Sequence, residues 1–371
     1  MSRVSRTPTP HRGRRRWCDT PEDRSEPVTS TQDDQPTGVP APAPVGPLRD
    51  LMYGHIHASA LRAVVEHKIA DLLADGPRTA EELADRSGTR ADPLRRVLRL
   101  LAARGLFHEE DGAFTLTDSG TALRTDVPGS QHAPVLMFTD EMFRLAAAGI
   151  PGAVRSGEPG FDAAYGCSFF DHLAAAPDKS RLFDAAMTSR PGTVNAHITD
   201  GYPFPDSGKV VDVGGGRGGL LRDLLTRFPG LTGVLYDRPG TVAEHLLDAP
   251  ELEGRWSTEG GDFFTAVPAG GDLYLLKNVL HDWADEDCLR ILGAVRAAMT
   301  PGARLLVIDA VLPDDGTPHP ALDLDIVMLM VLRGRERTAA DFRMLLDSSG
   351  FRLNRIAETP SLSSLIEAEA V

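Results

Sequence analysis

The run Lys209-Val210-Val211-Asp212-Val213, leading into Gly214-Gly215-Gly216-Arg217-Gly218-Gly219, constrains this chain more than any other stretch. After it Leu220, Leu221, Leu224 and Leu225 recur at helical spacing, so the segment reads as strand, glycine loop and helix. The glycines permit a tight turn and close approach of a ligand to the backbone. The helix start adds free N–H groups and the positive end of its dipole. Alone, such a loop is weak evidence. A second apolar run, Leu231 to Tyr236, ends at Asp237, about twenty residues on, where a carboxylate can accept hydrogen bonds from both ribose hydroxyls. An adenosine-containing cofactor is the expectation, with a purely structural glycine turn as the alternative.

Further apolar runs, Leu273-Tyr274-Leu275-Leu276 and Leu305-Leu306-Val307-Ile308, alternate with helical segments, as a parallel sheet of βαβ units requires. The end of the chain breaks this rhythm. Phe351 to Glu358 and Leu362 to Ala370 have too few residues between them for a parallel crossover and should form an antiparallel hairpin. That ending speaks against a nicotinamide dehydrogenase, one of the competing readings.

Upstream, residues 1 to about 46 mix arginine, proline and acidic residues without periodicity, and read as a disordered tail. From Leu51 the spacing turns helical through Ala58, Leu61, Val65, Ile69 and Leu72, until Gly76-Pro77 stops it. Thr79 with Glu82 forms a capping box, and Asp92-Pro93 opens a helix carrying Leu94, Val97, Leu98 and Leu101 on one face. Gly105-Leu106-Phe107 and Phe114-Thr115-Leu116 then flank the turn Glu110-Asp111-Gly112 as a hairpin. Helices followed by such a hairpin outline a winged helix, which raises the alternative of a DNA-binding regulator.

Charge argues otherwise. The 371-residue chain carries a formal net charge of −14, a field that repels nucleic acid and anionic lipid. The tail's Arg12, Arg14, Arg15 and Arg16 are largely offset by acidic residues from Asp19 to Asp34. Dimerisation is the expected role of the winged helix. Cys18, Cys167 and Cys288 are too scattered for a metal motif or disulfide framework, and no apolar run is long enough to span a membrane. A cytoplasmic protein is expected.

Lys277-Asn278-Val279-Leu280-His281-Asp282-Trp283 begins where the fourth strand ends, on the sheet edge at which α/β ligands bind. A weakly acidic hydroxyl reacts more readily when a neighbouring group removes its proton, and histidine suits that task. The imidazole then needs a partner on its other nitrogen. Asp309, ending the fifth strand, and Glu336, in Gly334-Arg335-Glu336-Arg337-Thr338, are the candidates. The plainer alternatives stay open: Asp282 or Asp285 as helix caps, His281 as a satisfied polar residue, and Glu336 paired with Arg335 or Arg337.

In order, Asp212-Val213-Gly214-Gly215-Gly216, Tyr236-Asp237, Gly261-Asp262-Phe263-Phe264, Lys277 to Trp283, Asp285-Glu286-Asp287-Cys288 and Gly334 to Thr338 form a specific set. With them the chain, from about residue 47 to 371, resembles the small-molecule O-methyltransferases of the plant caffeate type and their actinobacterial relatives in antibiotic biosynthesis. The resemblance implies an α/β class I methyltransferase domain (146–371), with a Rossmann-like sheet and C-terminal antiparallel hairpin. It also implies a mainly helical winged-helix dimerisation domain (47–145).

Its implied cofactor is S-adenosylmethionine, touched by Asp212, Gly214, Gly215, Gly216, Asp237, Arg238, Asp262, Phe263 and Lys277. His281 would be the base, bracketed by Asp309 and Glu336, with Met187 and Asp282 at a small aromatic acceptor, no metal, and a homodimer as the working form. Two departures stand out. Asp309 replaces the family's usual glutamate, and Arg190-Pro191-Gly192 interrupts the helix after Met187. Relatives that keep the cofactor but hydroxylate, decarboxylate or rearrange commonly lack a working base at this histidine, so its presence favours methyl transfer.

Overall fold

The computed structural model describes residues 46–189 and 192–371. The expected tail, including Cys18 and the arginine cluster, lies outside the described residues, as do Arg190 and Pro191 of the expected helix interruption. The chain divides into one unit ending at Arg49 and a second from Asp50 to Val371, and the features below, apart from the first turn of the opening helix, belong to the second.

A helix spanning Gly46–Glu66 opens the described chain. The spacing predicts one helix through Leu72; instead the chain breaks at Lys68, whose φ is 51°, and a short helix, Ile69–Leu72, follows. The amides of His67 and Lys68 bond back to the carbonyls of Ala63 and Val65, closing the first helix. The change of direction turns Ile69 and Leu73 into a core with Leu83, Leu98, Phe107 and Phe114. Thr79 caps Ala80–Ser87 in the expected capping box with Glu82. Helix Ala91–Ala102 buries Leu94, Leu98 and Leu101.

The hairpin pairs Phe107–Glu110 with Ala113–Leu116 across Asp111 and Gly112. Both turn residues have positive φ, 50° and 81°, which suits the twist of a two-residue hairpin. Arg78–Thr79 adds a third antiparallel strand. Along the first helix Leu51, Met52 and Ile56 stay exposed, Leu51 at 81%.

Beside a two-residue parallel pair, Val311–Leu312 with Arg337–Thr338, the second half holds a sheet of seven strands. They are β1 (Ser207–Val213), β2 (Gly230–Asp237), β3 (Trp256–Gly260), β4 (Leu273–Lys277), β5 (Arg304–Asp309), β6 (Phe351–Glu358) and β7 (Ser364–Ala370). Their order is β6-β7-β5-β4-β1-β2-β3. β1 to β5 are parallel, and β7 lies antiparallel to both β5 and β6. The expected terminal hairpin is therefore present.

Strand side chains alternate between two buried faces. Val211, Tyr274, Leu305 and Val307 enter one cluster, while Val210, Leu273, Leu306 and Ile308 enter the other. Burial on both faces is why these strands read as continuous apolar runs. β3 escaped the sequence reading because Trp-Ser-Thr-Glu-Gly is an edge strand with mostly exposed residues and no apolar pattern.

A third core lies among helices between residues 132 and 188 and the helix Ala321–Val331. Met137, Met142, Phe143, Phe161 and Phe169 pack there with Met330 and Val331. Among the described residues, no helix is long and apolar enough to cross a membrane.

Candidate active site

Parallel pairing sets the carboxyl ends of β1, β2, β4 and β5 on one edge, so Val213, Asp237, Lys277 and Asp309 finish close to one another. A cavity of about 1290 Å³ opens there. It exceeds the roughly 300–1,000 Å³ usual for one small ligand, leaving room for a cofactor and an acceptor together.

The glycine loop makes one wall. Gly214 has φ 69°, and a Cβ on it would lie 2.8 Å from a Val279 methyl. Gly216 has φ 60° with open space beside it, leaving backbone accessible to a ligand. Its N–H donates to Asp237 Oδ2 at 2.9 Å, and the Arg238 N–H donates to Oδ1 at 2.7 Å. Each carboxylate oxygen keeps a further lone pair for a hydroxyl.

Asp212 is buried with both oxygens lacking a hydrogen-bond partner among the described residues. Burial raises its pKa to about 7 against the opposing pull of Lys277. Lys277 Nζ donates to Asn195 Oδ1 at 2.9 Å, and Asn195 Nδ2 donates to Asp223 Oδ2 at 2.8 Å. An orphaned carboxylate, a lysine held nearby and a side-chain-free loop suit a zwitterionic amino-acid group joined to a nucleoside.

Opposite the loop, Asn278 takes the left-handed conformation, φ 52°, and turns the chain into Leu280–Asp282. His281 is 5% exposed and Glu336 2%. The His281 Nδ1–H donates to Glu336 Oε1 at 2.7 Å, a proton placement assigned from that partner, and Nε2 lies 3.3 Å from Asp282 Oδ1. Burial pulls the imidazole down, but the charge of Asp282, the Glu336 bond and the Asp309 charge outweigh it, raising the pKa to about 9. A buried imidazole held by a carboxylate on one nitrogen presents the other as a base.

Of the residues singled out by sequence, Met187, Asp212, Gly214, Gly215, Gly216, Asp237, Arg238, Asp262, Phe263, Lys277, His281 and Asp282 all line the cavity. Glu336 sits behind His281. Asp309 is placed differently: it is fully buried, neither oxygen has a hydrogen-bond partner among the described residues, and burial raises its pKa to about 7. Its effect on His281 is through charge, without a hydrogen bond, as a side chain one methylene short would give.

Glu336 pairs with neither neighbouring arginine; Arg335 and Arg337 both reach Asp285. The following helix has Ala284 at its N-cap position and no side-chain cap hydrogen bond.

Several lining residues were not anticipated. Trp283 stacks on Phe170 with centroids 5.9 Å apart and meets Phe264 edge-on at 4.7 Å. The Arg238 guanidinium lies 5.4 Å over Phe170. Thr125 and the stretch from Val127 to Ser130 reach the cavity from the end of the N-terminal half. No spacing signals Asn195, which meets Lys277 across 82 positions.

An O-methyltransferase domain model matches residues 149–352, and an O-methyltransferase dimerisation domain model matches 49–126. The chain belongs to this O-methyltransferase family. It is 42% identical over 331 residues to the O-demethylpuromycin O-methyltransferase of Streptomyces alboniger, covering 86% of this chain and 88% of that one.

The SAH-bound methyltransferase of calicheamicin biosynthesis is 42% identical, with a TM-score of 0.78, covering 88% of this chain and 97% of its own. The O-methyltransferase of neocarzinostatin biosynthesis, solved with S-adenosylmethionine and 2-hydroxy-5-methyl naphthoic acid, is 33% identical. Its TM-score is 0.72, with 85% of this chain and 96% of that one covered. S-adenosylmethionine is accordingly the cofactor of this enzyme, and its class I methyltransferase fold follows. The readings as a DNA-binding regulator or a nicotinamide enzyme find no support in these relatives.

The loop geometry carries a prediction. Gly214→Ala forces alanine into left-handed backbone at about 1–2 kcal/mol and drives its methyl into Val279. Affinity for S-adenosylhomocysteine, read by isothermal titration, is expected to fall about tenfold.

Proposed function

We propose that this enzyme methylates a phenolic hydroxyl of a small aromatic secondary metabolite, with His281 as general base. The observation that carries the reading is the buried His281–Glu336 pair at 2.7 Å, on the wall of the cavity that the glycine loop also lines. The neocarzinostatin relative solved with 2-hydroxy-5-methyl naphthoic acid supports the substrate class.

Asp212, Gly214, Gly215, Gly216, Asp237, Arg238, Asp262, Phe263 and Lys277 would hold the cofactor, whose sulfonium supplies an electrophilic methyl carbon when bound. Phe170, Met187 and Trp283 present apolar and aromatic surface to a planar acceptor, while Asp282 sits beside the hydroxyl. His281 Nε2 takes the hydroxyl proton as the oxygen attacks, and Glu336 steadies the imidazolium that results. Orientation within the cavity supplies most of the acceleration, and proton removal adds roughly 10²- to 10⁴-fold. An imidazole near 9 is well matched to a phenol near 10, so the transfer is close to level.

We also carry forward the division into a tail (1–46), a dimerisation domain (47–145) and a catalytic domain (146–371), within which the two matched regions fall. The working form is a homodimer, supported by the exposed Leu51, Met52 and Ile56 of a helix in the dimerisation region. Cytoplasmic residence and indifference to nucleic acid accord with the net charge of −14.

Below its raised pKa the imidazole is protonated and cannot accept. Turnover should therefore rise about tenfold per pH unit and level off near pH 9. His281→Ala should lose most turnover while keeping S-adenosylhomocysteine affinity. Glu336→Gln should move the rising limb to lower pH, since the hydrogen-bonded carboxylate holds the pKa up. Parental turnover in His281→Ala would remove the base assignment.

Asp309→Asn should keep cofactor binding and cost less than tenfold in turnover, because the side chain has no hydrogen bond to lose; a loss equal to that of His281→Ala would restore it as a direct partner. Leu51→Glu combined with Ile56→Glu should convert the dimer to monomer by sedimentation. An unchanged dimer would place the interface elsewhere.

A further inference from the structure

Glu336 reaches His281 across 55 positions of sequence, and both sit on irregular chain that no sheet ladder spans. What fixes their separation is therefore a separate structural question. The answer lies one residue along. Arg337 is 1% exposed, the largest fully buried side chain among the described residues.

Its guanidinium makes most of its hydrogen bonds to one short segment. Nη1 donates to the Leu280 carbonyl at 2.7 Å, and Nη2 to the Trp283 carbonyl at 2.9 Å. Nε and Nη2 both donate to Asp285 Oδ1, at 3.1 and 2.7 Å. Cys288 Sγ, itself donating to the Leu280 carbonyl, lies 3.3 Å from Nη2.

We propose that Arg337 is a positioning residue for the histidine–carboxylate pair: it clamps the carbonyls on both sides of His281 to the short strand Arg337–Thr338, whose preceding residue is Glu336. Adjacent residues thus hold one turn from two sides, Glu336 by the ring and Arg337 by the backbone.

Close packing completes the clamp. A Cβ on Gly334 would collide with the His281 carbonyl oxygen, so this loop lies flat against the turn. The Glu336 N–H donates to Asp325 Oδ1 at 2.8 Å, anchoring the carboxylate's backbone from the opposite side. The planar fork of arginine matches two carbonyls and a carboxylate at once, a geometry that the single ammonium of lysine does not reproduce. The contact touches neither cofactor nor acceptor, since Arg337 is absent from the cavity lining. Its effect passes through the placement of His281, and the inference rests on the base reading given above.

Arg337→Lys keeps the charge and removes the fork. It is expected to bind S-adenosylhomocysteine within about twofold of the parent and leave the KM for S-adenosylmethionine unchanged. Turnover should fall about 10- to 100-fold, the scale of a misplacement near 1 Å. The rising limb of the pH profile should move to lower pH as the Glu336 bond lengthens. Arg335→Lys, about half exposed and bonded to the same Asp285, should match the parent.

Parental turnover with an unmoved pH profile in Arg337→Lys would overturn the proposal, as would a loss explained wholly by the unfolded fraction. If Arg337→Lys does not fold, Asp285→Asn, which removes the guanidinium's charged partner, must show the same displaced limb; an unmoved limb overturns the proposal. His281→Ala measured alongside separates the two failures: if it retains turnover the base reading fails, and if it is inactive while Arg337→Lys is parental, only the clamp fails.

Discussion

Parallel hydrogen bonding between β1 and its neighbours β2 and β4 is the constraint from which the site descends. Register pairs Asp212 with both Leu235 and Leu275, so three strands end nearly level. Everything chemical then lies just past those ends: the glycine loop after β1, Asp237 closing β2 and Lys277 closing β4. The apolar faces of the strands keep the edge rigid, since alternate side chains lock into separate cores above and below.

On this frame the site divides between rigid and irregular backbone. The cofactor side is built of glycines and strand ends, where small residues at positive φ bring backbone close to a ligand. The wall that carries His281 is built on a left-handed Asn278 and a single turn of 3-10 helix. Such backbone holds its shape only when its surroundings over-determine it. Buried Arg337 and the flush Gly334 supply that determination. Burial opposes the protonation of His281, and the carboxylates of Asp282, Glu336 and Asp309 facing its ring outweigh that opposition.

Much of this was legible in advance because it depends on local pattern. The strand, glycine loop and helix at Lys209 to Leu225, the capping box at Thr79 and the terminal hairpin follow from spacing and turn chemistry over a few residues. The break at Lys68 did not, since apolar spacing continues across it and only packing of Ile69 and Leu73 reveals the bend. β3 was hidden because an edge strand needs no apolar face. Asp309 stood in the right place along the chain, but a hydrogen bond depends on reach, and reach is a distance in space.

By itself the sequence determined the sheet, its glycine loop, the capped helices and the residue types gathered at the strand ends, because periodicity, capping and glycine conformation act between near neighbours. Only the tertiary structure decided which of those residues meet. The union of His281 with Glu336, of Lys277 with Asn195, and of Arg337 with the Leu280 and Trp283 carbonyls spans 54 to 82 positions. Such contacts arise from the closing of loops onto a common edge. No local rule encodes their distances, which follow from how burial and hydrogen bonding are satisfied together.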